Sequence, residues 1–200
     1  FIFRFKTYVP KKESLIAEVE TLETHLKQLS SPVVFCHNDL LLKNIIYNTE
    51  KKNVTFIDFE YADYNYQAFD IGNHFCEFAG VDTYNPSLYP SKDFQMRWLK
   101  NYLEAWHRLT NQNDNIDKVT LGNQVETLYI QVNSFALAAH LYWGFWALVQ
   151  AAHSSINFDF LGYAIQRLNE YYAWKEKILK KGLKNGTIHS PSQIQSKKLI

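Results

Sequence analysis

The chain has 200 residues, of which 46% are hydrophobic and 20% are charged, the balance of an ordinary globular protein of one domain. The formal net charge is only +1, so overall electrostatic attraction to nucleic acid or to a membrane surface is not expected. Aromatic residues are frequent, at 16%, which predicts either a large aromatic core or an aromatic-lined site. We therefore expect one globular domain without a nucleic-acid partner.

The predicted elements begin with an amphipathic helix over Lys11–Leu29, whose apolar residues recur at spacings of three and four. Three short strands follow, at Val33–Cys36, Ile45–Tyr47 and Val54–Phe59, and a polar turn separates the last two. Asp63–Gln67 is polar and aromatic, and we predict a loop there. The first third of the chain is therefore expected to contain most of the β-structure.

Helices dominate the remainder of the chain. They are predicted at Phe69–Phe78, Phe94–Leu109 and Phe160–Leu179, and Val119–Gln150 is predicted as one or two helices. Asp82–Ser91 contains two prolines and is expected to be irregular. Lys180–Ile200 is basic and polar, as in a loose tail. The sequence thus predicts an α+β fold, mostly helical, with a globular lobe at residues 1–179 and a tail at residues 180–200.

The start of the chain and its two cysteines bear on where the protein works. The first residue is Phe1 instead of Met, and Phe1–Phe5 is too short and wrongly flanked for a signal peptide. We expect the chain to begin inside a longer protein. Cys36 and Cys76 lie in apolar runs, and two buried free thiols fit a reducing compartment. The expected location is the cytoplasm.

One segment raises the question of a membrane span. Residues 127–158 contain no Asp, Glu, Lys or Arg, and this run is comparable to the roughly 20 apolar residues of a spanning helix. Polar residues interrupt the run, however, and no basic flank follows it. We expect a buried core helix and no membrane span.

The stretch Val33–Glu60 carries the chemistry. Asp39 follows the first predicted strand, Asn44 comes five residues later, and Asp58 lies near the end of the third predicted strand. An aspartate facing a substrate hydroxyl, with an amide oxygen and a carboxylate for Mg²⁺, is what a phosphoryl-transfer enzyme needs. Each residue alone fits a polar hairpin. The joint pattern favours a phosphotransferase in which Asp39 orients or deprotonates the acceptor and Asn44 and Asp58 bind magnesium. His37 is interpreted as a structural hydrogen-bonding residue.

The pattern His-x-Asp-x4-Asn resembles the catalytic loop of the protein-kinase-like fold. It departs from protein kinases, because Leu41 stands where they have lysine and Glu60 stands where they have glycine. A stronger resemblance, to the choline/ethanolamine kinase family, extends from Val33 to Ile178. It implies the C-terminal lobe of the protein-kinase-like fold, of the choline kinase type, with short β-hairpins carrying the catalytic loop. The segments that carry it are Ile57–Ala62 (IDFEYA), Phe69–Phe75 (FDIGNHF) and Leu141–Trp146 (LYWGFW).

Within that family, three segments are similar to ethanolamine kinases more than to choline kinases: His37–Ile46 (HNDLLLKNII), Glu77–Val81 (EFAGV) and Phe158–Ala164 (FDFLGYA). The implied reaction is transfer of the ATP γ-phosphate to the hydroxyl of ethanolamine, with Mg²⁺, to give phosphoethanolamine for phosphatidylethanolamine synthesis. Two alternatives stay open: a choline or dual-specificity kinase, and a lobe-only isoform that binds without catalysis. The oligomeric state is open as well, with a homodimer among the options.

An aromatic group is predicted to hold the amine. Trp143 and Trp146 share one helix face, and Phe158 and Tyr163 can meet them where the chain turns back. Aromatic faces near a carboxylate such as Glu77 suit a small organic cation. By resemblance, the family places its amine-binding residues at these same five positions. The alternative is a plain aromatic core, and both descriptions can hold together.

The resemblance also implies roles around the magnesium ligands. Glu60 and Tyr61 are expected in the substrate site, with Glu60 either a further carboxylate near magnesium or a member of a structural ion pair. Asp70 resembles the buried aspartate that supports the catalytic loop of this fold. An ATP site also needs an N-terminal lobe with a phosphate-covering loop, and the seven glycines form neither a GxGxxG nor a Walker pattern. We expect this chain alone to have little or no kinase activity.

Overall fold

The computed structural model describes residues 2–81, 84–110 and 116–184, which form six α-helices and four β-strands. The predicted fold class, α+β and mostly helical, is confirmed. The chain divides into two compact units. One consists of residues up to Ser30 together with those from Leu137 onward, and the other is Ser31–Ala136.

The four strands lie in the Ser31–Ala136 unit and form two separate antiparallel pairs. They are β1 (Val33–Cys36), β2 (Ile45–Asn48), β3 (Asn53–Phe56) and β4 (Asp63–Tyr66). β1 pairs with β4, so that Cys36 lies opposite Asp63. β2 and β3 form a hairpin in which Ile45 lies opposite Phe56. The loops that connect the two pairs carry Asp39, Asn44 and Asp58.

Two strand predictions were wrong, and each error has a local cause. β3 ends at Phe56 instead of Phe59, because Asp58 has a φ of 62°, a left-handed conformation that an extended strand does not accommodate. The predicted loop at Asp63–Gln67 contains β4. Its polar residues obscured an alternation with Tyr64 and Tyr66, and tyrosine favours strands.

Three helices complete this unit: α3 (Gln67–Glu77), α4 (Lys92–Leu109) and the first part of α5 (Lys118–His153). α3 lies very close to α5 at Gly72, where an added Cβ would be 2.6 Å from the carbonyl oxygen of Val132. The segment between α3 and α4, predicted to be irregular, contains one 3₁₀ turn at Pro86–Leu88. Residues 82 and 83 of that segment lie outside the described residues.

The other unit contains α1 (Ile2–Tyr8), α2 (Lys12–Lys27), the last part of α5, and α6 (Phe160–Lys184). α1 has no counterpart among the predicted elements. α2 and α6 are joined at Glu18, whose carboxylate accepts hydrogen bonds from the Tyr171 hydroxyl at 2.7 Å and from Lys175.

The predicted helices differ from the structure in the burial of α2 and in the end of α6, besides shifts of one to three residues at other ends. The predicted apolar stripe of α2 is buried at Leu22 and Leu26, but Ile16 and Val19 are 46% and 40% exposed. Only the C-terminal half of that stripe therefore contributes to the core. α6 continues to Lys184, five residues into the segment predicted as a tail, and residues 185–200 lie outside the described part of the chain.

The apolar helix α5 was predicted to be a buried core helix. Among the described residues, α5 is the one helix long and apolar enough to cross a membrane, by length and composition alone. Half of its most apolar window is buried inside the protein, as in a core helix.

Cys36 and Cys76 are both free and buried, which confirms the predicted buried thiols, and burial raises the pKa of Cys36 to about 12.

Candidate active site

The loop that carries Asp39 is held by the carboxylate of Asp70, in the first turn of α3. The backbone N–H of His37 donates to Asp70 Oδ2 at 2.9 Å, and that of Asn38 donates to Oδ1 at 2.8 Å. Both carboxylate oxygens are thus used on the two peptide groups that precede Asp39. Because charge-assisted hydrogen bonds are stronger than neutral ones, this pair of contacts fixes the start of the loop.

The imidazole of His37 links the Asp39 loop to the Asp58 loop. Its Nε2 lies 2.9 Å from the carbonyl oxygen of Ile57, and its Nδ1 lies 3.3 Å from the backbone N–H of Asp39. A carbonyl oxygen only accepts, so Nε2–H is the donor in the contact with Ile57. The ring also contacts Phe59, with centroids 4.7 Å apart. These contacts describe a positioning residue.

Asn38 connects three further elements, and the sequence analysis did not single it out. Its Nδ2 donates to the carbonyl oxygen of Tyr61 at 3.0 Å, and its Oδ1 accepts from Asn65 of β4 at 3.0 Å. Its carbonyl oxygen accepts from Nδ2 of Asn73 in α3, also at 3.0 Å. Its φ is 64°, a conformation that asparagine tolerates better than most residues. The signal in the sequence was an asparagine, Asn73, inside an apolar helix, where a buried amide requires a partner.

Asp39 and Asn44 form a hydrogen-bonded pair. Asn44 Nδ2 donates to the carbonyl oxygen of Asp39 at 2.9 Å and to its Oδ2 at 3.2 Å. Asn44 is buried, and its Oδ1 accepts no hydrogen bond from any described residue. This amide oxygen is therefore available as a ligand.

The pKa of Asp39 is raised to about 6. Burial is the largest cause, followed by the negative charge of Glu77; the charge of Asp58 acts in the same direction, while His37 and the hydrogen bond from Asn44 oppose it. Glu77, at the C-terminal end of α3, thus lies within electrostatic reach of Asp39. The candidate site concentrates negative charge, which suits a cation.

Asn44 and Asp58 are brought together by the β2–β3 hairpin. The N–H of Ile57 donates to the carbonyl oxygen of Asn44 at 3.0 Å, so that Asp58 is the next residue beyond this backbone contact. Asp58 is exposed. No group of three or more His, Cys, Asp or Glu side chains able to hold a metal occurs among the described residues. One amide oxygen and one carboxylate match the donors that Mg²⁺ takes from a protein when phosphate and water supply its other ligands, and the assignment stays a prediction.

The two residues expected beside Asp58 lie in the turn before β4. Glu60 is exposed, and no ion pair with it is found among the residues that the structure describes. Tyr61 is half-buried and contributes its backbone carbonyl to Asn38. These contacts do not test a substrate role for either side chain, so both assignments stay predictions.

The four predicted aromatic residues belong to one connected ring cluster in the other unit. The centroids of Trp143 and Trp146 are 5.5 Å apart, and those of Phe158 and Tyr163 are 6.1 Å apart. Phe160 joins the two pairs, at 5.7 Å from Trp146 and 4.9 Å from Phe158. Phe160 was missed by the sequence analysis, although it lies between two of the predicted residues.

A buried cation belongs to the same cluster. The guanidinium of Arg167, only 2% exposed, lies 5.8 Å from the ring centroid of Tyr163. That face of Tyr163 already contacts a positive charge, which disfavours a second cation there. The faces of Trp143, Trp146 and Phe158 are therefore the better candidates for an ammonium group. The prediction that Glu77 and these rings serve one amine stays a prediction.

Solved structures with the same architecture establish the class of fold. An ethanolamine kinase from Plasmodium vivax matches with a TM-score of 0.70 and 33% identity, over 82% of this chain and 40% of that one. A choline kinase from Cryptosporidium parvum matches with a TM-score of 0.66 and 23% identity, over 94% of this chain and 57% of that one. The architecture is that of choline-kinase-like proteins.

Sequence comparison gives the family. The Choline/ethanolamine kinase family model matches residues 4–172, and the chain belongs to that family. Ethanolamine kinase 1 of Mus musculus is 50% identical over 88% of this chain and 47% of its own length. A probable ethanolamine kinase of Nematostella vectensis is 53% identical over 88% of this chain and 50% of its own length. The chain thus spans about half the length of the curated relatives it matches.

Proposed function

We propose that the protein containing this chain is an ethanolamine kinase, which transfers the γ-phosphate of ATP to the hydroxyl of ethanolamine. The observation that carries the proposal is the Asp39–Asn44 pair, joined by hydrogen bonds of 2.9 and 3.2 Å in a loop that Asp70 holds. The substrate is supported by the ethanolamine kinases of mouse and Nematostella, which are 50% and 53% identical to this chain. The product, phosphoethanolamine, is a precursor for phosphatidylethanolamine, and we propose a cytoplasmic location.

Asp39 receives the acceptor hydroxyl. With a pKa of about 6, its carboxylate is ionised at neutral pH. This pKa is close enough to neutral pH for the carboxylate to accept a proton. In a loose phosphoryl-transfer transition state, however, orienting the hydroxyl contributes more than basicity. The hydrogen bonds from Asn44 and from Asp39's own N–H to His37 keep the carboxylate in one direction.

Asn44 Oδ1 and the carboxylate of Asp58 are proposed to hold Mg²⁺ against the phosphates of ATP. Mg²⁺ held by these two residues would supply positive charge against the phosphates. The chain's own contribution is to present two oxygen ligands from adjacent ends of one hairpin. The left-handed backbone at Asp58 turns its side chain out of the strand, where a ligand can reach it.

The ring cluster of Trp143, Trp146 and Phe158 is proposed to receive the ammonium group. Tryptophan gives the strongest cation–π attraction among the aromatic residues. Ethanolamine carries a primary ammonium whose three N–H groups also need acceptors, and Glu77 is the proposed acceptor. Choline has no such donors, so acceptor groups distinguish the two amines more than rings do.

A coupled ATP assay with ethanolamine and choline in parallel tests the proposal, on the longest product of the gene that contains this sequence. We expect ethanolamine to be the better substrate, and equal rates with both amines would replace it by a dual-specificity kinase. Asp39→Asn is expected to remove most of the turnover. Asp63→Asn, the same change at an exposed position of β4, is the matched control and should keep it. Full turnover in Asp39→Asn would reject the assigned mechanism.

A further inference from the structure

Within the Ser31–Ala136 unit, α4 and the first turns of α5 line an open groove that the proposed reaction does not use. It encloses about 1120 Å³, and Met96, Leu121 and Val125 supply its apolar part. Leu121 and Val125 are buried, so the groove has an apolar floor between two polar edges. We call it the α4–α5 groove.

The edges of the α4–α5 groove carry a surplus of positive charge. Its two carboxylates are both paired: Glu104 with Lys100, and Glu126 with Lys92, each at 3.7 Å. Arg97, Arg108 and Lys118 also line it, and none of these three makes an ion pair with a carboxylate of the described residues. A groove with an apolar floor and three cations that have no carboxylate partner among the described residues is complementary to an acidic, amphipathic partner.

The spacing of these cations indicates the shape of the partner. Arg97 and Arg108 are eleven residues apart on α4, which corresponds to about 16 Å along the helix and to nearly the same side of it. A single anionic head group reaches one end of such a row. A helix of three turns, with acidic residues at spacings of three and four, reaches all of it.

Gly122 gives an independent reason to regard the groove as a place for a close approach. It lies inside α5 and lines the groove, and a Cβ added there would meet no heavy atom within 4 Å. Glycine within a helix is destabilising relative to alanine, and neither its φ nor packing against the described residues requires it here. Its position leaves room against the helix backbone.

From these observations we propose that the α4–α5 groove binds an acidic amphipathic helix of a partner protein. The apolar face of that helix packs on Met96, Leu121 and Val125, and its carboxylates pair with Arg97, Arg108 and Lys118. The proposal is independent of the kinase reaction, because no residue placed in the candidate active site contributes to the groove.

The test measures binding of a fluorescent helical peptide of about 14 residues, with leucine on one face and glutamate around it, to the longest product of the gene. Arg108→Glu is expected to weaken binding about tenfold, since each exposed ion pair contributes up to about 1 kcal/mol and reversal adds repulsion. Gly122→Trp, which fills the groove, should weaken it at least as much. Lys51→Glu, a charge reversal in the β2–β3 turn, is the matched control and should leave affinity within about twofold.

Three results would overturn the proposal. The first is equal affinity for the acidic peptide and for the same peptide with glutamine in place of glutamate. The second is binding to phosphatidylserine vesicles that Arg108→Glu weakens, with no binding of the acidic peptide, which would assign the groove to a lipid surface. The third is a dimer in light scattering that Arg108→Glu dissociates, which would assign it to a second copy. Gly122→Ala adds only one methyl group and should weaken binding less than Gly122→Trp does, and circular dichroism of Gly122→Trp shows whether its lost binding reflects the filled groove or misfolding.

Discussion

The close approach of α3 to α5 leads to a prediction about stability. Whether Gly72→Ala stabilises or destabilises the protein depends on the distances from the new Cβ to the atoms of α5. In Gly72→Ala, the new Cβ would lie 2.6 Å from the carbonyl oxygen of Val132 and 3.0 Å from the backbone nitrogen of Ala136. Both atoms belong to the backbone of α5, so they move only if a helix moves. Overpacking of this kind costs about 1–3 kcal/mol, whereas alanine in place of glycine within a helix gains about 1 kcal/mol. We expect a net loss of up to about 2 kcal/mol in the free energy of unfolding, near the upper end because the contact at Val132 is with backbone.

Gly122→Ala is the matched comparison, because it makes the same chemical change within a helix with no heavy atom near the new Cβ. It is expected to raise the free energy of unfolding by about 0.5–1 kcal/mol. Urea unfolding followed by circular dichroism measures both variants. α3 also carries Asp70 and Asn73, so Gly72→Ala should lower kcat as well. If Gly72→Ala stabilises the protein as much as Gly122→Ala does, the close approach of the two helices is refuted.

Three further predictions concern the candidate site. Asp70→Asn should cost about 1–3 kcal/mol of stability and lower kcat more than it raises KM, because one buried N–H loses its acceptor. Unfolding and steady-state kinetics measure these effects, and unchanged values would show that Asp70 does not hold the Asp39 loop. The pKa of Asp39 is raised to about 6 in the folded state, so the free energy of unfolding of the metal-free protein should fall as pH rises from 4 to 6. Asp39→Asn should match the wild-type free energy of unfolding at pH 4 and exceed it by about 1 kcal/mol at pH 7, after discounting for solvent screening of a half-exposed group. Equal free energies of unfolding at pH 7 would contradict this prediction. Trp146→Leu should raise KM for ethanolamine by a factor of about 2–30, the loss of one cation–π contact, while Trp106→Leu, outside the ring cluster, should not.

The helices and the spacing of Asp39 and Asn44 could be predicted because both are local properties. Apolar periodicity specifies a helix within a few turns, and the loop between β1 and β2 holds its two polar residues at a fixed separation along the chain. The larger helices were therefore found with errors only at their ends. The choline-kinase-like fold followed from the resemblance and is confirmed by the structural matches.

What the sequence did not reveal depends on partners far along the chain. β4 becomes a strand by pairing with β1, about thirty residues earlier, and no pattern within Asp63–Tyr66 announces that partner. Asn38 likewise acquires its importance from Asn65 and Asn73, each supplied by a different element. Nor does composition indicate that Asp58 adopts a left-handed backbone, since Asp tolerates both conformations.

The β2–β3 hairpin sets the distance between its turn and the two candidate metal ligands. Its turn is closed by Asn48, whose Oδ1 accepts from the N–H groups of Glu50 and Lys51 at 3.1 and 2.8 Å. Four paired residues, or about 14 Å, separate that turn from the end where Asn44 and Asp58 lie. In a hairpin the type and length of the turn set the pairing register. A slip of one residue in the pairing would turn every side chain of one strand to the opposite face, so the turn at Asn48 constrains the far end of the hairpin, where the two candidate ligands lie.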